Sequence, residues 1–357
     1  MPSHHNGPVN FYVRRHRTHL HFPSQKMPRL VTQEYSELLH YTTAGGLAGI
    51  LGSGVLWASH ASFLNDAEEI THFFDARLPT LAGDAIREFI TKNIAAPSVA
   101  SKIESDGGVD AVVQNAVEFA TRPIRAATLK FNQPFIFSMS GPTGGRVAKN
   151  GLLSQWRGYG GDGGYAIVLD SEKFDHLLKQ EGQTRHYQFA QWGDVYYYGA
   201  ETNQQPSSEE VAQYEDSVKK GVVAMAQGQH PETVDDLYDA VTSLACLFKH
   251  WGFAEEQEVR VVCIPAAIDV ATAALAAGDS RPAPVVKSFL RSGVPVPYLE
   301  LFATAGKSEA RGRLPIKRVI VGPHRDKVRR ASAVEHLLRS NGYDSEVVCS
   351  EIPYIGT

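Results

Sequence analysis

Cysteine is scarce: 357 residues hold three, Cys246, Cys263 and Cys349, far apart and with no C-x-x-C pair. That excludes a disulfide framework and a zinc ribbon, and it suits a reducing compartment, so a cytoplasmic location is expected. Cys246 and His250 stand four apart on a segment that reads as helix, but a buried Cys near a helix end explains them better. No metal is expected. No apolar run reaches transmembrane length, and the N-terminus lacks the apolar region of a signal peptide, so no membrane partner is expected. Excess positive charge is also missing: the net charge of −4 argues against a dedicated nucleic-acid interface. Acyl transfer lacks its G-x-S-x-G elbow, and Gly306-Lys307-Ser308 has Leu301 where a phosphate loop needs its first glycine.

What the chain does have is concentrated in Ser154–Tyr165, SQWRGYGGDGGY, which leads into the apolar run Ala166–Leu169. Trp156 and Tyr159 offer flat apolar faces, Gln155 a bifunctional amide, and Arg157 a fork of donors suited to carboxylate or phosphate. The glycines let the backbone turn sharply or approach a ligand closely. One wall of a ligand site is expected here; a glycine-rich turn with Trp156 as a core plug is the plainer alternative. Gly158, Gly160 and Gly163 satisfy G-x-G-x-x-G, but a strand follows where the dinucleotide fingerprint requires a helix, so a Rossmann site is excluded.

Residues 1–30, rich in His, Arg and Pro, read as a flexible extension upstream of a start near Met27. Residues 31–357 read as one α+β domain. Tyr35–Thr42 is an expected strand, followed by a helix N-capped by Thr43 and closed by Gly52 and Gly54. A strand at 55–59 and a polar turn with Asn65, Asp66 and Glu69 come next. Periodicity predicts a helical insertion around 80–132, with helices at 81–95 and 109–132 interrupted by Pro97 and Gly107-Gly108. Strands are expected at 134–140, 166–170, 195–198 and 258–264. A Ser/Gln/Pro linker at 203–208 precedes a helical segment around 208–250, made of helices at 208–227 and 232–250. The second is capped by Thr233, with Asp235 and Asp236 in its first turn. A short helix at 267–277 and a Pro-rich connection lead to a closing strand–helix–strand unit at 319–349. Uneven helices between short strands indicate a mixed sheet and not a regular doubly wound one.

Polar residues gather at strand ends. Side chains alternate along a strand, so Ser138 and Ser140 share a face, as do Glu256, Glu258 and Arg260. Two carboxylates on one face suit a general base or a ligand pair, or else a solvated edge on which Arg260 pairs one Glu. Arg260 stands where a restriction-type nuclease needs lysine, which leaves a metal-dependent nuclease as the weaker alternative. The segment from Lys307 to Arg339 is locally basic, and a solvated helical face explains it.

These motifs resemble an uncharacterised bacterial family known only as a domain of unknown function. The resemblance rests on His40-Tyr41-Thr42, Leu56-Trp57, Asn65-Asp66 with Glu69, and Phe135 with Ser138 and Ser140. It continues through Gln155-Trp156-Arg157 with Tyr159, Phe253 with Glu256, Glu258 and Arg260, and Gly322-Pro323. It spans about residues 35–355 and implies no activity. A looser likeness, carried by His40, then Ser138 with Ser140, then Glu256 with Glu258, is to ADP-ribosyltransferases. It implies a split sheet with flanking helices and NAD as the substrate, bound by Tyr41, Thr42, Ser138, Ser140, Gln155, Trp156, Arg157, Tyr159 and Arg260. His40, Glu256 and Glu258 would be the catalytic residues, an acceptor macromolecule would take the ADP-ribosyl group, and a toxin or phage-defence role would fit. A nucleotide-binding regulatory module without turnover is the alternative. The transferase reading requires His40, Ser138, Arg157 and Glu258 to meet in one cleft.

Overall fold

The computed structural model describes residues 31–64, 68–94, 97–131, 133–142, 144–159, 163–198, 209–229, 237–303 and 313–353. The expected N-terminal extension, the Asn65-Asp66 turn, the 203–208 linker and the Thr233 cap lie outside them. So do Gly160–Asp162 and the basic residues Lys307 and Arg311.

A short helix α1 (Val31–Glu34) enters strand β1 (Glu37–Thr42). Helix α2 (Ala44–Ser53) begins as expected, with the Thr43 hydroxyl accepting from the Gly46 amide at 3.2 Å. It ends on Gly54, whose left-handed φ of 68° lets its N–H reach Ile50 O. Strand β2 (Leu56–His60) leads into a helical layer of α3 (Glu68–His72), α4 (Leu78–Asn93), α5 (Pro97–Ser105) and α6 (Gly108–Ala126). Pro97 opens α5 instead of interrupting the layer, since the first turn of a helix tolerates a missing N–H. Strand β3 (Phe135–Ser140), α7 (Gly145–Asn150) and α8 (Leu153–Tyr159) follow, then β4 (Tyr165–Asp170) and α9 (Ser171–Thr184). The Gln155-Trp156-Arg157 motif therefore lies on a helix, not on a loop.

The aromatic strand expected at 195–198 forms as β6 (Tyr196–Tyr198), and an unexpected strand, β5 (Tyr187–Asp194), precedes it. After α10 (Glu209–Ala226), helix α11 (Leu237–Leu247) stops earlier than expected, and β7 (Phe248–His250) pairs with β6 in parallel. Cys246 and His250 consequently share no helical face. Strand β8 (Glu258–Pro265) and α12 (Ile268–Ala276) precede a hairpin, β9 (Lys287–Arg291) with β10 (Val294–Leu301), in the region expected to be a connection. The end forms as expected: β11 (Ile316–Val321), α13 (Lys327–Ser340) and β12 (Glu346–Cys349).

Ten described strands make one mixed sheet, ordered β12-β11-β4-β1-β3-β2-β10-β9, with β8 on β3 and β5 on β8. The fold is α+β, with helices on both faces. At β3 the sheet forks. One edge of β3 pairs with β8 along its whole length; the other meets β1 at Ser140 and β2 at Phe135 and Ile136. Antiparallel partners point the same way, so the registers assign the faces. Leu38, Phe137, Met139, Ile167, Val259 and Val261 face a core closed by α2, α9 and α13 through Leu47, Phe174, Val334 and Leu338. On the opposite face, Leu39, Tyr41, Ala166 and Val168 lie under Trp156 of α8, while Ile136 and Val262 lie under α4, α6, α10 and α11. Buried on both faces, β4 and the Val261–Ile264 part of β8 read as continuous apolar runs.

Candidate functional site

Register and packing divide the expected site residues between the two faces. Leu39 pairs with Ser140, and Ser140 with Glu258; Ser138 pairs with Arg260. Ser138, Ser140, Glu258 and Arg260 therefore share a face with Leu39 and Tyr41. His40 and Thr42 point the other way.

The expectation that His40 and Glu258 meet in one cleft is corrected by this arrangement. The His40 ring packs 4.5 Å from Phe137, and Nδ1 donates to the backbone carbonyl of Ser138 at 3.0 Å. Where β1 and β2 part, that carbonyl faces the gap, and the imidazole satisfies it. Burial pushes the His40 pKa down, so the ring is neutral there. Thr42 is likewise engaged in packing, its hydroxyl 2.0 Å from where a Cβ at Gly46 would stand.

On the other face, the ribbon β6–β7 delivers Tyr197 and Lys249 as directly paired residues, so both point toward Glu258. The Tyr197 hydroxyl accepts from the Glu258 amide at 2.8 Å. Lys249 Nζ, 1% exposed, lies 2.8 Å from Glu256 Oε2 and 3.1 Å from Glu258 Oε2. Arg260 grips Glu258 with two nitrogens, Nε at 2.8 Å and Nη2 at 3.0 Å, and its Nη1 donates to Cys246 O at 2.7 Å. Burial pushes the Glu258 pKa up, but Arg260, Lys249 and a hydrogen bond from Ser138 outweigh it and hold it down to about 2. The carboxylate is ionised and its lone pairs are largely occupied. Two cations face two carboxylates, so the cluster is neutral overall.

Trp156 is 4% exposed, stacks edge-on against Tyr41 at 4.8 Å, and donates from Nε1 to Asn150 O at 3.0 Å. The Tyr41 hydroxyl accepts from the Leu152 amide at 2.8 Å. Both aromatic rings thus serve as core, and Gln155 beside them is buried. The glycines flanking this plug are there for close approach. A Cβ on Gly322 would stand 1.8 Å from Gly163 O and 2.9 Å from the Trp156 ring, and Gly163 has φ +95°. Arg157 and Tyr159 remain at the surface of α8. Arg157 has no ion-pair or hydrogen-bond partner among the described residues.

The sequence reading missed Lys249 and Tyr197. Lys249 had one visible signal, a lone cation closing the apolar run Leu244–Phe248, and it was obscured by reading that run as helix to residue 250.

A family model was the informative comparison. Residues 155–261 match a family described as Protein of unknown function, DUF2971. The DUF2971 stretch runs from Gln155 to Val261 and so includes α8 from Gln155 onward and residues Lys249 to Arg260 of the cluster. It is shorter than the 35–355 span over which the motifs resemble such a family. Comparison with curated proteins and with solved structures gave no match.

Proposed function

We propose that the chain is a nucleotide-binding module, with NAD the first ligand to test, and that Arg157 is its anion contact. The observation that carries this reading is the unequal use of the cations. Lys249 and Arg260 are neutralised by Glu256 and Glu258. Arg157 has no partner among the described residues, lies on the last turn of α8, and precedes a run of glycines. A planar guanidinium can grip a phosphate through two parallel hydrogen bonds, which an ammonium cannot do. NAD titrated into the wild-type chain should bind saturably, Arg157→Lys should weaken binding at least tenfold, and Arg157→Ala should abolish it.

One observation favours the second reading, an NAD-using ADP-ribosyl transferase with an acceptor macromolecule: the sheet forks at β3, beside Ser138. His40 and Glu258 lie on opposite faces, so the cleft that reading requires does not form as expected; it would need His40 as a structural residue and Glu256, 13% exposed, as the carboxylate a ligand reaches. Nicotinamide release that disappears in Glu256→Gln, with folding intact, would favour turnover. Saturable NAD binding without release supports the module.

A further inference from the structure

Two polar side chains beside the Trp156 plug are buried and unused. Gln155 and Ser140 are each 6% exposed, and neither has a hydrogen-bond partner among the described residues. The hydroxyl oxygen of Ser154, next to Gln155, is buried and unpartnered as well. The half-buried Gln191 shows the usual arrangement: its amide donates to the Tyr214 hydroxyl at 3.0 Å and accepts from Ser243 at 2.8 Å. A buried amide without partners weakens the fold that holds it, so its presence calls for a reason.

Gln155 and Ser140 border the same plug. Gln155 precedes Trp156, and Ser140 lies directly opposite Leu39, which packs with Trp156. Trp156 leans from Tyr41 toward Gly322, beyond the end of β11. Gln155 is about 100° away round α8 and also buried, so it enters on the other side, toward β3. There β1 and β3 pair at Leu39 and Ser140 alone and then part, which leaves room beside the amide. Arg157 is exposed on the outer side of the helix.

We infer that Gln155 and Ser140 bind the edge of an uncharged heterocyclic base, with adenine the base to test. Charge and hydrogen bonding select this class of ligand. The ions next to Ser140, Glu258 with Lys249 and Arg260, neutralise one another, so the ligand needs no charge. A primary amide carries a donor beside an acceptor and is matched by a planar edge with an acceptor beside a donor. Adenine N7 and N6 form such an edge. The Ser140 hydroxyl, donor and acceptor at once, can serve a further ring nitrogen. The inference rests on the nucleotide reading for the kind of ligand; it supplies a contact for the base, as Arg157 does for the phosphate.

Free adenine, which has no phosphate for Arg157 to hold, is titrated into the full chain by ligand-observed NMR, beside 7-deazaadenine, which lacks the N7 acceptor. Adenine should bind saturably, and the deaza analogue at least tenfold more weakly. Gln155→Met keeps the length of the side chain and removes the amide. It should weaken adenine binding at least tenfold while the melting temperature holds or rises, because an unsatisfied buried group is lost. Ser140→Ala should also weaken binding without loss of stability. Equal binding of the two bases overturns the inference, as does adenine binding that survives Gln155→Met, or no adenine binding at all. A melting temperature lowered by several degrees in Gln155→Met overturns it too, in favour of a structural amide. NAD bound through Arg157 without any binding of free adenine removes this inference and leaves the nucleotide reading standing. Adenine binding with NAD affinity unchanged in Arg157→Lys does the reverse for the anion contact.

Discussion

A carboxylate as buried as that of Glu258 persists as an ion only because two cations reach it. Removing one leaves an uncompensated charge in the interior. Lys249→Met should therefore destabilise the fold by roughly 3–5 kcal/mol, read from urea unfolding. The pH dependence follows from the direction of the shift. The folded pKa of Glu258 lies at about 2, below its ordinary value of 4.5. Its contribution is thus fully present above the unfolded pKa and fades as pH falls from 4.5 toward 2. Glu37, held down to about 2 chiefly by its hydrogen bond to Arg318, loses its contribution over the same window. Urea midpoints measured across that range should fall steeply for wild type and less steeply for Glu258→Gln. His40 is a separate case. His40→Ala strands the Ser138 carbonyl at the fork, which should cost about 1–3 kcal/mol. NAD affinity should stay the same, and a loss of affinity without loss of stability would restore His40 to the site.

At the scale of elements, the tightest junction is the crossing of the Gly163-Gly164 turn over Gly322. Gly322→Ala places a methyl group 1.8 Å from the backbone oxygen of Gly163 and 2.9 Å from the Trp156 ring. Thermal unfolding should show a loss of about 3 kcal/mol or more, among the larger effects of a single methyl. Unchanged stability would mean that the two segments are not held together there. This junction also shows what could be read beforehand. The glycines, Trp156 and the Gly322-Pro323 strand end are all visible as motifs, and a core plug is one of the two roles the sequence offers Trp156. That they meet one another, and not a ligand, is a matter of tertiary contact between positions 159 residues apart. Strand β4 and the Val261–Ile264 part of β8 were legible because their apolar runs are continuous, and the α2 caps because Thr43 and Gly54 carry their own signals. Strand β5 was missed because its residues are only partly buried and alternate poorly. The β9–β10 hairpin was missed because its two prolines suggest a connection, although both fall where no N–H is needed.

At the scale of the whole molecule, the sheet sorts the motifs into two groups that linear order could not separate. The histidine of the opening motif closes the fork from one face, and Thr42 on the same face packs against Gly46. The serines, the second carboxylate and its arginine line the other, beneath helices on either side of it. Alternation within each strand places Ser138 with Ser140, and Glu256 and Glu258 with Arg260. The registers agree for the serines and for Glu258 with Arg260, whereas Glu256 lies before β8, at the end of the helical turn Trp251–Glu256. The relation between strands needed the pairing of Leu39 with Ser140, which no local pattern encodes. No helix among the described residues is long and apolar enough to cross a membrane. The central claim is that Arg157 offers the anion contact while Glu258 is committed to holding Lys249 and Arg260 in place. Calorimetric titration of NAD into wild type, Arg157→Lys and Arg157→Ala, with nicotinamide release followed in the same samples, tests it most directly. The account predicts saturable binding to wild type, at least tenfold weaker binding to Arg157→Lys, none to Arg157→Ala, and no release. Equal affinity in all three, or nicotinamide released by wild type and lost in Glu256→Gln, would contradict it.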